Sequence, residues 1–118
     1  MEKISDYECH FTSVTVEDDS STVNMEANNA RYGKVYISLT LKVGSVDGNS
    51  GSYSSNARAI SESGDLIRGS SQGIWKKDGK LVRLKGLGSA SNGDLTLSDG
   101  TLDLIEKTLK ASQYEAWS

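Results

Sequence analysis

His10 is the only histidine in this chain, Cys9 is the only cysteine, and the two are neighbours. A thiolate and an imidazole in contact make a nucleophile. In an extended strand, however, adjacent side chains point to opposite faces, so Cys9 and His10 cannot pair without a bulge. His10 shares its face with Glu8 and Thr12, and a carboxylate two residues away favours the imidazolium. A catalytic set needs a third group and a pocket, and the sequence marks neither. The pattern describes a histidine on the polar face of a strand, and no catalytic residue is assigned.

Other chemistries fare similarly. One histidine and one cysteine do not supply a zinc set. Glu17-Asp18-Asp19 gathers carboxylates but lacks the spaced oxygens of an EF-hand loop, and reads as a solvated turn. Gly86-Leu87-Gly88 matches part of a dinucleotide fingerprint, but it lies inside a strand pattern with no crossover helix. No metal and no cofactor are expected.

Residues 68–85 carry Arg68, Lys76, Lys77, Lys80, Arg83 and Lys85 around Trp75. Cations interleaved with aromatics hold nucleic acid strands. Alternation puts Trp75 on the face away from Arg83, and the whole chain has a net charge of −3 with pI about 5.1. Phosphate is disfavoured, and the lysines read as solubility and edge protection. A second set is Tyr53, Arg58, Trp75 and Arg83. An arginine inside a barrel needs an anionic partner, from the protein or from a ligand. Ser55, Ala57 and Ala59 beside Tyr53 leave room for a bound molecule, or for Trp75 or Phe11. These four are the candidate ligand-binding residues.

The elements that must position them are announced by turns. Asp47-Gly48, Ser63-Gly64, Asp78-Gly79 and Asn92-Gly93 follow one another at spacings of 16, 15 and 14 residues, and Asp99-Gly100 comes after. Such pairs supply the positive φ of tight hairpins, so long strands run up and down between them. Alternating apolar residues place strands at 4–16, 22–30, 34–43, 52–61, 66–77 and 80–91. The clearest is 34–43, with Val35, Ile37, Leu39, Leu41 and Val43 on one face. Gly44 to Ser52 is the best flexible loop. A two-residue loop at Asp78-Gly79 pairs Trp75 with Val82 and Gly73 with Leu84. The same rule at Asn92-Gly93 pairs Ala90 with Leu95 and Gly88 with Leu97. Together they put Val82, Leu84, Gly86, Gly88, Ala90, Leu95 and Leu97 on one inward face. Large residues mixed with glycines suit the coiling of a small barrel. Near the C-terminus, Leu102, Ile105 and Leu109 fit a helical stripe, whereas Leu102 with Leu104, and Tyr114 and Trp117 beyond, fit strands. Strands are preferred. Asn92-Gly93 and Asp99-Gly100 are too close for two full hairpins, so one of them is a bulge or loop.

Composition sets the outer bounds. The 118 residues suffice for one domain, include 12 glycines and no proline, and are 36% apolar. Residues 1–30 hold seven acids and one base, residues 31–88 ten bases and four acids, and residues 89–118 five acids and two bases. Closure would bring the two acidic ends together, which opposes it unless their charges lie apart. A single cysteine excludes an internal disulfide. The sequence has no apolar run long enough for a signal peptide or membrane helix, so a cytoplasmic protein without a membrane partner is expected.

The run Gly73-Ile74-Trp75-Lys76-Lys77-Asp78-Gly79-Lys80, followed by Lys85-Gly86-Leu87-Gly88, resembles the middle strands of small calycin-like and allene-oxide-cyclase-type barrels. The end Tyr114-Glu115-Ala116-Trp117 is similar to the aromatic closing strand of small bacterial barrels. The resemblance spans residues 50–117 and concerns architecture. The lipocalin Gly-x-Trp signature is absent, with Phe11 where a tryptophan would stand, and no catalytic residue of the cyclases can be matched. The resemblance therefore implies a barrel with an apolar cavity and carries over no active site.

The expected molecule is a single all-β domain, 1–118: an up-and-down antiparallel meander closed into a small barrel of about eight strands. The expected role is binding a small apolar or amphipathic molecule at Tyr53, Arg58, Trp75 and Arg83. Two alternatives are a homodimeric interaction module using Tyr36 and Ile37, and a cyclase or isomerase in which His10 or Arg58 polarises a carbonyl.

Overall fold

The hairpin rhythm closes on itself. In the computed structural model, which describes residues 2–117, eight strands run in chain order. They are β1 (Lys3–Val16), β2 (Ser20–Asn29), β3 (Gly33–Val43), β4 (Ser50–Ile60), β5 (Leu66–Asp78), β6 (Leu81–Ala90), β7 (Leu95–Asp103) and β8 (Thr108–Glu115). Each pairs antiparallel with the next, and β1 pairs with β8, so the sheet is a closed barrel. Closure leaves no open sheet edge. The acidic ends meet without opposing like charges: Glu8 stands across the seam from Lys110, 3.7 Å away, and Asp6 faces Ser112. Among the described residues, no helix is long and apolar enough to cross a membrane.

Alternation turns one face of every strand inward. Cys9, Val23, Met25, Ala27, Leu39, Tyr53, Trp75, Val82, Leu84, Leu102, Leu109 and Ala111 form one buried cluster. Met25, Leu102, Val23 and Cys9 are under 2% exposed, and burying each of the larger side chains contributes about 1.5–3 kcal/mol. On β1 the register shifts between Phe11 and Ser13. The extra residue, Thr12, is a β-bulge that exchanges faces beyond it, so Val14 stands opposite Val23 on the inward face, although Val14 and Val16, at the end of the strand, remain exposed.

Two hairpins correct the expected register. At Asp78-Gly79 the loop is Gly79-Lys80, with Asp78 opposite Leu81. Trp75 therefore faces Leu84 rather than Val82, and Gly73 faces Gly86. Gly79 has φ 63° and Lys80 has no positive φ, the type II′ pattern. A shift of two partner positions keeps every side chain on its expected face.

The Asn92-Gly93 turn departs further. The Gly93 amide donates to the Ala90 carbonyl and the Ala90 amide donates to the Asp94 carbonyl. Gly93, at φ 96°, is the left-handed residue of a three-residue loop ending in a G1 bulge. One additional loop residue slips the ladder by one position and reverses the strand. Ser89 consequently faces Leu95, and Leu87 faces Leu97, on the outer surface. Thr96, Ser98, Gly100 and Leu102 point inward in place of Leu95 and Leu97. Asp99-Gly100 is no turn; it lies inside β7, opposite Lys85 and Leu84. The C-terminal part is two strands rather than a helix, joined by a turn in which the Asp103 carboxylate accepts the amides of Ile105 and Glu106, each at 3.0 Å.

Candidate functional site

The two ends of the barrel are built differently. The end bearing the turns after β1, β3, β5 and β7 is packed solid. Trp75 lies there, 8% exposed, with its indole N–H donating to the Lys42 carbonyl at 2.8 Å. Tyr53 lies across the middle of the barrel, which is possible because Gly86 has no side chain. A Cβ there would collide with the Tyr53 hydroxyl and the Gln72 carbonyl. Above this floor, toward the turns after β2, β4 and β6, the interior is hollow, with a cavity of ≈ 110 Å³.

The cavity has two unlike walls. Val35 and Ile37 of β3, Ala57 and Ala59 of β4 and Ile67 of β5 make one of hydrocarbon. Facing it across the ring of strands, Tyr7 of β1, Thr96 and Ser98 of β7 and Gln113 of β8 make one of hydroxyls and an amide. Interior polar pairs are partly satisfied among themselves. Asn29 donates to Ser5 (3.3 Å), Ser5 to Gln113 (3.4 Å), and the Ser55 and Ser71 hydroxyls meet at 2.5 Å. Among the described residues, every fully enclosed side-chain nitrogen or oxygen has a hydrogen-bond partner. The hydroxyls of Tyr7, Thr96 and Ser98 make no hydrogen bond among the described residues; all three residues line the cavity. Burial pushes the Tyr7 phenol well above its ordinary range, with smaller contributions from Cys9, Tyr53 and Tyr32. It is therefore a neutral donor.

A lid closes the mouth. The turn between β2 and β3 is gathered by the Asn29 carboxamide oxygen, which accepts the amides of Arg31 (2.9 Å) and Tyr32 (3.2 Å). This folds Tyr32, 9% exposed, against Val35 and Ala59 at the cavity rim. Its hydroxyl donates to Asp94 at 2.6 Å, in the turn between β6 and β7. Arg31 grips the same carboxylate with Nε at 2.8 Å and Nη2 at 2.9 Å, and Asn92 donates to it at 3.2 Å. The Arg31 guanidinium, first of these, holds the Asp94 carboxyl well below the usual carboxylate range. Desolvation, then the bond to Asp94, pushes the Tyr32 phenol up to about 12. Two turns 63 residues apart in sequence are thereby latched over the opening.

The residues expected from sequence are divided between these regions. Tyr53 and Trp75 are interior, in the packed cluster beneath the cavity. Arg58 and Arg83 are on the outer surface: Arg58 donates to the Ala57 carbonyl and Arg83 lies 3.4 Å from Asp99. The structure thus brings Tyr53 and Trp75 together and separates both arginines from them. His10 is also outside, 3.2 Å from Glu8, while Cys9 is fully buried with its thiol pushed up to about 12 by desolvation. The groups invoked for carbonyl polarisation, His10 and Arg58, therefore face away from the cavity. Tyr36 is exposed, whereas Ile37 lines the cavity.

Sequence reasoning missed Tyr7, Asn29, Tyr32, Asp94, Thr96, Ser98 and Gln113. Tyr7 was visible as the first aromatic residue on the inward face of β1. Thr96 and Ser98 were hidden by the slipped register. A tyrosine between two strands, in Asn29-Ala30-Arg31-Tyr32-Gly33, was the one local sign of a lid, since turns favour small polar residues. Comparison with family models, with curated proteins and with solved structures finds no match to this chain.

Proposed function

We propose that this protein binds one small molecule in the mouth half of its barrel, admitted when Tyr32 swings away from Asp94. The observation that carries this reading is the asymmetry of the interior. One half is filled by Trp75, Tyr53 and Leu102, while the other holds a two-walled cavity under a latched aromatic lid. A barrel evolved only to be stable would gain by filling both halves, because each missing contact costs dispersion and transfer energy. The resemblance of residues 50–117 to calycin-like barrels supports the same reading. In it Tyr53 is the floor and Trp75 the support beneath, and Arg58 and Arg83 lie outside the site.

Native mass spectrometry of the protein purified from its own host tests the proposal. A single adduct per chain, released on denaturation, is expected. It should be absent from Ala57→Leu, which fills the apolar wall, at unchanged circular dichroism. Equal native and denatured masses, or an adduct retained by Ala57→Leu, count against it.

A further inference from the structure

The cavity's chemistry narrows what it can hold. None of its lining residues carries a charge. The ionic group nearest the opening, Asp94, already accepts bonds from Arg31, Tyr32 and Asn92. An ion placed inside would exchange water for neutral hydroxyls and hydrocarbon, an unfavourable transfer without a counter-charge. A purely apolar molecule would leave Tyr7, Thr96 and Ser98 without partners and displace the water a polar cavity of this size can hold. The lining meets both objections with one kind of guest. Size sets a further limit: an interior cavity of about 150 Å³ takes benzene, so ≈ 110 Å³ takes a five-membered ring before the lid must move.

Building on the cavity reading above, we infer that the bound molecule is uncharged and compact, with one hydroxyl or carbonyl oxygen hydrogen-bonded to the Tyr7 hydroxyl. Its hydrocarbon side lies against Val35, Ile37, Ala57, Ala59 and Ile67. Tyr7 is the anchor because its ring reaches in from β1, between the layer of Tyr53 and that of Tyr32, and its hydroxyl makes no hydrogen bond among the described residues. The two hydroxyls on β7 extend the polar patch beside Tyr7, whereas the hydroxyls of Ser55 and Ser71 on the β4–β5 side are bonded to each other.

Four probes of similar size separate the classes: cyclopentanol, cyclopentane, cyclopentylammonium and cyclobutanecarboxylate, titrated into uniformly labelled protein and followed by amide chemical shifts. Cyclopentanol should shift the amides around Tyr7, Ser98 and Ala57 saturably and bind at least tenfold more tightly than either ion. Tyr7→Phe should weaken cyclopentanol about three- to tenfold, the worth of one hydrogen bond, and leave cyclopentane unchanged, which also reports that the cavity is intact. If either ion binds as well as cyclopentanol, or if Tyr7→Phe leaves cyclopentanol unaffected, the inferred class or anchor is wrong while the binding cavity stands. If none of the four shifts the cavity amides, the cavity reading itself falls.

Discussion

Asp94 concentrates more bonds than any other side chain at the mouth, and its charge is what makes them strong. Charge-assisted bonds are shorter and about twice as strong as neutral ones. With Arg31 partly exposed, screening leaves the latch worth about 1 kcal/mol at neutral pH. Asp94→Asn should lower stability by about that amount at pH 7, read as a denaturant midpoint. The carboxyl's pKa in the folded protein lies below its unfolded value. Its contribution is therefore complete above about pH 5 and is lost as pH falls below about 4. The gap between wild type and Asp94→Asn should shrink toward zero over that fall; a gap constant with pH would show that the charge plays no part. Residues of this kind were out of reach in the sequence. Tyr32 and Asp94 become partners only because two turns rise at the same barrel end, and neither turn contains the other's signal.

At the scale of elements, alternation was legible and turn geometry was not. The faces of β2 to β6 could be read from Val23, Met25, Val35, Leu39, Trp75 and Leu84, because side-chain period is a property of the strand alone. Asn92-Gly93 could not be read in the same way. An Asx-Gly pair serves both the two-residue I′ turn and the three-residue turn with a G1 bulge; which one forms depends on whether Ser91 joins the loop. That single residue decided whether leucines or hydroxyls face the cavity, so the site was lost to sequence reasoning at the point where the register slipped. The glycines on the inward face were legible as barrel features, but their individual purpose required the structure. Gly86 makes way for Tyr53. Gly86→Ala should destabilise by about 1–3 kcal/mol through overpacking. Adding Tyr53→Phe removes one of the three atoms in the way, so the double variant should recover part of the loss, with a coupling of about 0.5 kcal/mol or more. Strict additivity in thermal or denaturant unfolding would mean that the hydroxyl is not the obstacle.

For the whole molecule, closure is the property that every other feature depends on. The closed barrel was expected from its turn rhythm, although the acidic ends argued against closure. Opposite charges at Glu8 and Lys110 resolve that conflict across the seam. The seam also has a consequence in time. Neighbouring strands meet across short loops, but Lys3 must find Tyr114 from the far end of the chain. Loop-closure entropy makes that encounter about 2 kcal/mol dearer than a 15-residue hairpin. The ladder between β1 and β8 should form last, so Glu8→Lys should mainly slow closure or speed opening at this ladder. Pulsed hydrogen exchange should show amides of β1 and β8 protected after those of β3 to β6; simultaneous protection would refute the order. Tyr7 belongs to β1, Gln113 to β8, and Thr96 and Ser98 to the strand beside it. The polar wall is thus assembled by the final step of folding, and a molecule that spans it would act as a clasp on the youngest part of the barrel.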